Sequence, residues 1–375
     1  MKPLSIALIR QRYAQDGGAE RFVARTLEAL QGTDVRVTLI TREWKPGDGF
    51  DVIGVNPFYL GRVWRDWSFS CAVRRRLCAR QFDIVQSHER IPGCDIYRAG
   101  DGVHREWLAQ RARVLSVWGR LAQALNPYHC YVKWAEKKMF TSPQLKAVIC
   151  NSRMVKAEIK YHFGVADAKL HVIYNGINLT EFHPTLRRHR AGIRARYRIP
   201  ETATLFLFVG SGFERKGIPV LLDAMAELPP DTYLLVVGRD KKLARYQRRA
   251  QRYGLAQRVI FAGSQPDVKP YYGAADALVL PTLYDPFPNV VLEAMAAGVP
   301  AITSTKSGAS EFIETGVSGV VCDARDRARL VQAMRELGNR AQAEAFGLNA
   351  RRSIERLSLD AMVDQLRGLY AALAS

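Results

Sequence analysis

The chain has 375 residues, 48% of them apolar and 24% charged, which is enough core and surface for a globular protein of about two domains and excludes a disordered polypeptide. Lysine and arginine (55) exceed aspartate and glutamate (36) by 19, a field that draws nucleic acid, anionic membrane or phosphorylated small molecules without choosing among them. Cys71, Cys78, Cys94, Cys130, Cys150 and Cys322 are scattered with no Cys-x-x-Cys, which argues against a structural zinc or a disulfide scaffold and fits a reducing, cytoplasmic compartment.

The first apolar run, Leu4 to Ile9, is too short for a signal peptide and meets Arg10 at once, so it reads as a strand. No apolar stretch approaches the roughly 20 residues that span a bilayer, so membrane contact is expected to be peripheral. Further β-rich runs follow at residues 35–40, 83–86 and 147–150, separated by helix-like stretches. After a Pro- and Arg-rich interval from Asn175 to Pro200, the alternation restarts at 205–209, 233–237, 259–262, 278–280 and 301–303. This pattern predicts an α/β protein of two doubly wound, Rossmann-like domains, residues 1–180 and 181–357, facing a cleft. Met362, Leu366, Leu369 and Leu373 form a helical stripe, so residues 358–375 are expected to cross back onto the first domain. Ligands in such sheets bind beyond the carboxyl ends of the strands.

Taken in chain order, the segments at those positions are chemically suggestive. Asp16-Gly17-Gly18-Ala19-Glu20-Arg21 opens a helical run, where paired glycines admit a ligand to the backbone and a helix start suits phosphate. Ser87-His88-Glu89 and Gly100-Asp101-Gly102-Val103-His104 offer His88, Asp101 and His104 to steer an acceptor hydroxyl. Between His104 and Phe140 a basic stretch, read as a helix, gathers Trp107, Val114, Trp118, Leu121 and Leu125 on one face and sets Arg105, Arg113 and Arg120 apart. That suits an anionic membrane surface, and equally a helix packed on its own domain.

In the second half, Gly210-Ser211-Gly212-Phe213-Glu214-Arg215-Lys216-Gly217 is neither a Walker loop nor a dinucleotide fingerprint. Its adjacent cations suit a diphosphate, Arg215 by paired hydrogen bonds and Lys216 as a point charge. Pro288 and Asn289 mark a helix start that leaves Asp285 on a loop and Glu293 about one turn inside. Pro286 and Pro288 donate nothing, so Phe287, Asn289 and Val290 are the expected backbone donors, with Gly308, Ala309 and Ser310 as further ones. Singly, each motif also has a plain reading: a turn, a solvated cation pair, solvated acids.

As an ordered set, Gly17-Gly18-x-Glu20-Arg21, Arg215-Lys216-Gly217, the acid-x7-Glu element Asp285 to Glu293 followed by Ala294-Met295-Ala296, and Gly308-x-x-Glu311-x-Ile313 resemble the retaining glycosyltransferases of family four, which have the GT-B fold. The resemblance runs over nearly the whole chain. It implies a nucleotide-sugar site in the second domain: Arg215 and Lys216 on the diphosphate, Glu293 on the ribose, Asp285 on the sugar, Gly17, Gly18 and Gly212 closing around the donor, and Asp101 joining the catalytic groups. The first acid is usually glutamate in that family and here is the shorter Asp285. No Asp-x-Asp occurs, and the resemblance implies a metal-independent enzyme without a cofactor.

The basic segment directly after Asp101, with the length and charge, is similar to the core glucosyltransferases of lipopolysaccharide assembly. That similarity implies UDP-glucose as donor, a lipid-linked phosphorylated heptose as acceptor, and peripheral attachment to the inner membrane through residues 104–140. Another lipid-linked or polysaccharide acceptor, or a nucleotide-sugar isomerase, is the alternative. Nucleic acid is not expected, since no reading module is visible.

Overall fold

The computed structural model describes residues 4–12, 35–43, 51–78 and 82–374. Two compact units emerge: Met1–Gly176 with Leu359–Ser375, and Ile177–Ser358, so the chain changes unit at Gly176/Ile177 where sequence placed the boundary near residue 180.

The first unit is built on β1 (Leu4–Ile9), β2 (Val35–Thr41), β3 (Asp51–Gly54), β4 (Ile84–Ser87), β5 (Ile96–Arg98), β6 (Ala147–Cys150) and β7 (Leu170–Val172). All pair in parallel, in the order β3-β2-β1-β4-β5-β6-β7. Alternation along β1 divides the core. Ile6 and Leu8 pack with Met362, Leu366 and Tyr370 of the C-terminal helix Leu359–Ala374. Ala7 and Ile9 pack with Phe69 and Val73 of the helix Gly61–Cys78 on the other face.

The second unit carries β8 (Thr204–Val209), β9 (Thr232–Val237), β10 (Val259–Gly263), β11 (Ala277–Leu280), β12 (Ala301–Ser304) and β13 (Gly319–Cys322). Their order is β10-β9-β8-β11-β12-β13, again parallel. Leu205, Phe206, Leu207 and Phe208 are all fully buried, as expected of a strand covered on both faces. In each sheet the chain reverses its direction of winding between two central neighbours, β1 and β4 in one, β8 and β11 in the other, and such switch points open a crevice at the carboxyl ends.

The Arg-rich interval between the two alternating regions is a packed part of the second unit. Arg194, on the helix Arg190–Arg196, is completely buried and donates to Asp276 (2.8 Å) and to the carbonyls of Pro200, Ala203 and Ala274. Asp276 also accepts from Arg190 and from the Leu205 N–H. A guanidinium with five donors can satisfy several buried carbonyls at once, which lysine cannot. Some of the chain's positive charge therefore braces the fold.

The run Trp107 to Leu125, read as one amphipathic helix, is divided between two, His104–Ala112 and Val117–Ala124, and Pro127–Phe140 follows as a third. Ser116 caps the second by accepting from the Gly119 N–H, and Asn126 with Pro127 at the first turn starts the third. Among the described residues no helix is long and apolar enough to cross a membrane.

Candidate functional site

At the carboxyl end of β8 the chain turns through Gly210 and Gly212 into a single helical turn, Phe213–Lys216. The Phe213 N–H is capped by Asp240 from the loop after β9 (2.7 Å). Gly217 then adopts φ 90°, and a β-carbon there would collide with the Pro281 carbonyl, so the turn passes directly against the end of β11 and only glycine fits. The Arg215 carbonyl accepts from the Leu283 N–H (2.8 Å) and the Thr282 hydroxyl (3.1 Å), which ties the two loops together.

This tie brings three sequence-predicted groups into contact. Lys216 Nζ lies 2.7 Å from Asp285 Oδ2, with both side chains mostly buried, and Arg215 Nη1 lies 3.5 Å from the same oxygen. Arg215 also donates to the Tyr284 carbonyl (3.0 Å). Burial pushes the Asp285 carboxyl up, but the opposing pull of Lys216, Arg215 and the Phe287 N–H outweighs it and leaves the group below its ordinary value. Two cations thus face one ionised carboxylate, leaving a surplus of positive charge at the switch point.

Several expected backbone donors are already committed. The Phe287 N–H serves Asp285, the Gly308 N–H donates to the Asp285 carbonyl, and the Ser310 N–H to the Ser307 carbonyl. For Gly308 the cause is a parallel bridge between Asp285 and Ser307, which ties the glycine-rich segment after β12 to the Asp285 loop, while the Ser310 N–H closes the short turn Gly308–Phe312. Asn289 and Val290 form the first turn of the helix Asn289–Ala296, where N–H groups point away from the helix body. Glu293 lies one turn in, only 1% exposed, and accepts from the Tyr272 hydroxyl (2.8 Å). Sequence placed it toward a ligand and did not anticipate Tyr272, which comes from the helix Lys269–Ala274 some twenty positions earlier. Gly17 and Gly18 lie outside the described residues.

In the first unit the three proposed acceptor groups have different surroundings. Asp101 is half exposed and faces Arg10 (3.9 Å). His88 is buried; Tyr370 donates to Gln86 Oε1 (2.8 Å), and Gln86 Nε2 lies 3.0 Å from His88 Nε2. Burial, then Arg98 and Arg10, hold His88 well below the ordinary histidine value. His104 opens its helix with its N–H on Glu136 (2.8 Å) and its Nε2 3.1 Å from His129 Nδ1; burial first, then Arg90, lowers it to about 3. Both histidines are neutral.

Asp101 instead lines a pocket of about 310 Å³ at the β1/β4 switch point, with Arg10, Glu89, Arg90, Asp66 and Tyr128 among its walls. Arg10 pairs with Glu89 (3.7 Å) and Asp101, Arg65 with Asp66 (2.8 Å), and Arg90 with Glu136 (2.9 Å). Guanidiniums and carboxylates alternate around this space, giving donors and acceptors in nearly equal measure, a lining matched to hydroxyls. Sequence reasoning missed Arg10 and Glu89 as site residues, although Arg10 directly follows β1 and Glu89 comes two residues after β4, at the switch point. Among the described residues no three His, Cys, Asp or Glu side chains converge as a metal site would require.

Comparison with known proteins gives two family matches, Glycosyltransferase Family 4 over residues 16–181 and Glycosyl transferases group 1 over residues 190–353. The chain is 26% identical to the lipopolysaccharide glucosyltransferase WaaG of Escherichia coli K12 over 324 residues, 84% of each chain. It superposes on the crystal structure of WaaG with a TM-score of 0.84 at 23% identity, covering 97% of this chain and 99% of that one. Anabaena HepE, solved in complex with UDP-glucose, superposes with a TM-score of 0.74 at 19% identity over 98% and 99%. With one family match on each of its two doubly wound units and a shared fold over nearly its whole length, the chain belongs to the group 1 glycosyltransferases of the GT-B fold.

Proposed function

We propose that this glycosyltransferase moves a hexose, glucose from UDP-glucose, to an inner-core heptose of lipopolysaccharide with retention of anomeric configuration and without a metal ion. The observation that carries the reading is the buried Lys216–Asp285 pair beside Arg215 at the β8/β11 switch point. A lysine ammonium has three donors and Asp285 takes one, so Lys216 still has two for a phosphate oxygen. The diphosphate binds Lys216 and Arg215; Asp285, held in line by its bridge to Ser307, takes sugar hydroxyls; Glu293, oriented by Tyr272, takes the ribose.

As the bond from the anomeric carbon to the phosphate oxygen breaks, the charge growing on the diphosphate is met by these cations, the task a metal ion performs elsewhere. The acceptor hydroxyl forms the new bond on the same face and gives its proton to the departing phosphate oxygen, so no protein nucleophile is required. The donor assignment is supported by the fold shared with HepE, and the acceptor by the similarity to WaaG. The pocket at Arg10, Glu89 and Asp101 is the acceptor sugar's place in this reading, and the basic residues 104–140 hold the enzyme at the cytoplasmic face of the inner membrane.

Detergent-solubilised truncated lipopolysaccharide and labelled UDP-glucose test it. Label in the lipid, an α-linkage by NMR and indifference to EDTA are expected. A changed free nucleotide sugar would favour an isomerase, and an inverted linkage or a requirement for Mg²⁺ would reject the mechanism.

A further inference from the structure

Ten of the fifteen exposed large hydrophobic side chains among the described residues fall in two stretches of the first unit, residues 56–78 and 104–140. The chain has six tryptophans, and five of them lie in these stretches, four exposed: Trp64, Trp67, Trp118 and Trp134. The second stretch is the segment already read as membrane-facing. The first is not explained by that reading, nor by the pocket, whose lining from the helix Gly61–Cys78 is Arg65, Asp66 and Phe69.

The periodicity of that helix separates its two faces. Phe69 and Val73 are buried in the core, whereas Trp64, Trp67, Arg74, Arg75 and Cys78 lie on the opposite side in solvent. Phe58, 76% exposed just before the helix, packs edge-on against Trp64 with ring centroids 5.5 Å apart, and Leu60 is exposed beside them. The helix also contacts Pro127–Phe140: Arg62 stands over the Tyr128 ring (5.9 Å), and Tyr131, which senses Asp66 and Cys71, leans on exposed Trp134 with centroids 5.9 Å apart. The two aromatic stretches therefore adjoin.

Charge names the occupant. Every exposed charged side chain in the two stretches is a cation: Arg62, Arg74, Arg75 and Arg76 in the first, with five more in the second, and no exposed carboxylate. Tryptophans ringed by arginines match the headgroup region of an anionic bilayer, where amphipathic rings settle and basic residues are attracted to the charged surface. Aromatic rings left in water as a patch are otherwise a liability for a folded protein.

We propose that the bilayer-docking surface comprises both stretches, with Phe58, Leu60, Trp64 and Trp67 entering the interface of an anionic membrane beside Trp118 and Trp134. The inference rests on the membrane reading of residues 104–140 and extends it to a second element, which widens the docking face, since a broader contact resists rotation of the unit on the membrane.

Co-sedimentation of the full chain with vesicles of phosphatidylcholine, with and without phosphatidylglycerol, tests it. Wild type binds the anionic vesicles and is released by salt. Replacing Trp64 and Trp67 together by serine, or Phe58 and Leu60 together by serine, weakens that binding about tenfold, with turnover on a detergent-solubilised acceptor unchanged. If both double variants bind as wild type does while Trp118→Ser is weakened, the second contact is refuted and the reading of residues 104–140 stands. If wild type ignores anionic vesicles, both fall.

Discussion

The carboxyl ends of the two sheets are built by different means. At β8 and β11, two short contiguous segments meet, two cations share one carboxylate, and the charge left over is positive. At β1 and β4, the pocket draws on residues near 10, 65, 89, 101 and 128, and nearly every guanidinium in it has its own carboxylate. The difference teaches what each end can hold. Uncompensated positive charge suits a diphosphate, whose charge grows during the reaction; alternating donors and acceptors suit the hydroxyls of a sugar.

The comparison would break first if the arginines of the second unit were ligand groups in general. Arg194→Ala is expected to cost about 3–5 kcal/mol of stability, because Asp276 stays buried with half its compensation gone. Urea denaturation measures it, and a loss of activity without a loss of stability would overturn the bracing role. Next in size, Lys216→Ala is expected to raise the barrier to transfer by about 3 kcal/mol, as for a removed electrostatic donor. A kcat within threefold of wild type would remove the diphosphate from this end of the sheet.

The two ends also differ in how legible they are in sequence. The glycine turn, the adjacent cations and the helix start at Asn289 are local, so residue order alone located Arg215, Lys216, Asp285 and Glu293 on their elements. What it could not give was the register across loops: that Asp285 bridges Ser307 and so occupies the Gly308 N–H, or that Tyr272 reaches Glu293. The acceptor end is illegible for the same reason carried further, since Arg10, Asp66, Glu89 and Tyr128 share a wall only after β1 and β4 pair and the helix Gly61–Cys78 packs. The main strands could be read because their apolar runs are buried on both faces. The missed ones, β3 (Asp51–Gly54), β7 (Leu170–Val172) and β13 (Gly319–Cys322), are as short as some that were read, but each apolar run is only two or three residues or is broken by His171, beside an acid or glycine, so no apolar pattern registers. The break at Ser116 is masked in the sequence by the apolar spacing from Trp107 to Leu125 that runs across it.

A subtler test asks whether Glu293 is held for a ligand. Tyr272→Phe removes one hydrogen bond and leaves the packing, so KM for the nucleotide sugar should rise about tenfold with kcat little changed, the cost of one bond to a charged group. An effect confined to stability would make the pair structural.

The smallest effect lies on the acceptor side and concerns pH. His104 is held neutral, its value lowered to about 3 by burial and then by Arg90. In the unfolded chain it titrates near 6.5, so as pH falls through that value the unfolded state takes up the proton first and stability drops, a loss that continues until the folded histidine also titrates. One such group contributes about 0.7 kcal/mol of lost stability between pH 7 and pH 6. His88, held low by burial and by Arg98 and Arg10, acts in the same direction. His104→Gln removes one group's share of this dependence, and urea midpoints at the two pH values would show the wild type's drop shrinking by that amount. No change would mean that His104 titrates in the folded protein as it does in the unfolded chain, in which case, once it is protonated, its 3.1 Å contact to His129 could persist only if His129 kept Nδ1 unprotonated as the acceptor.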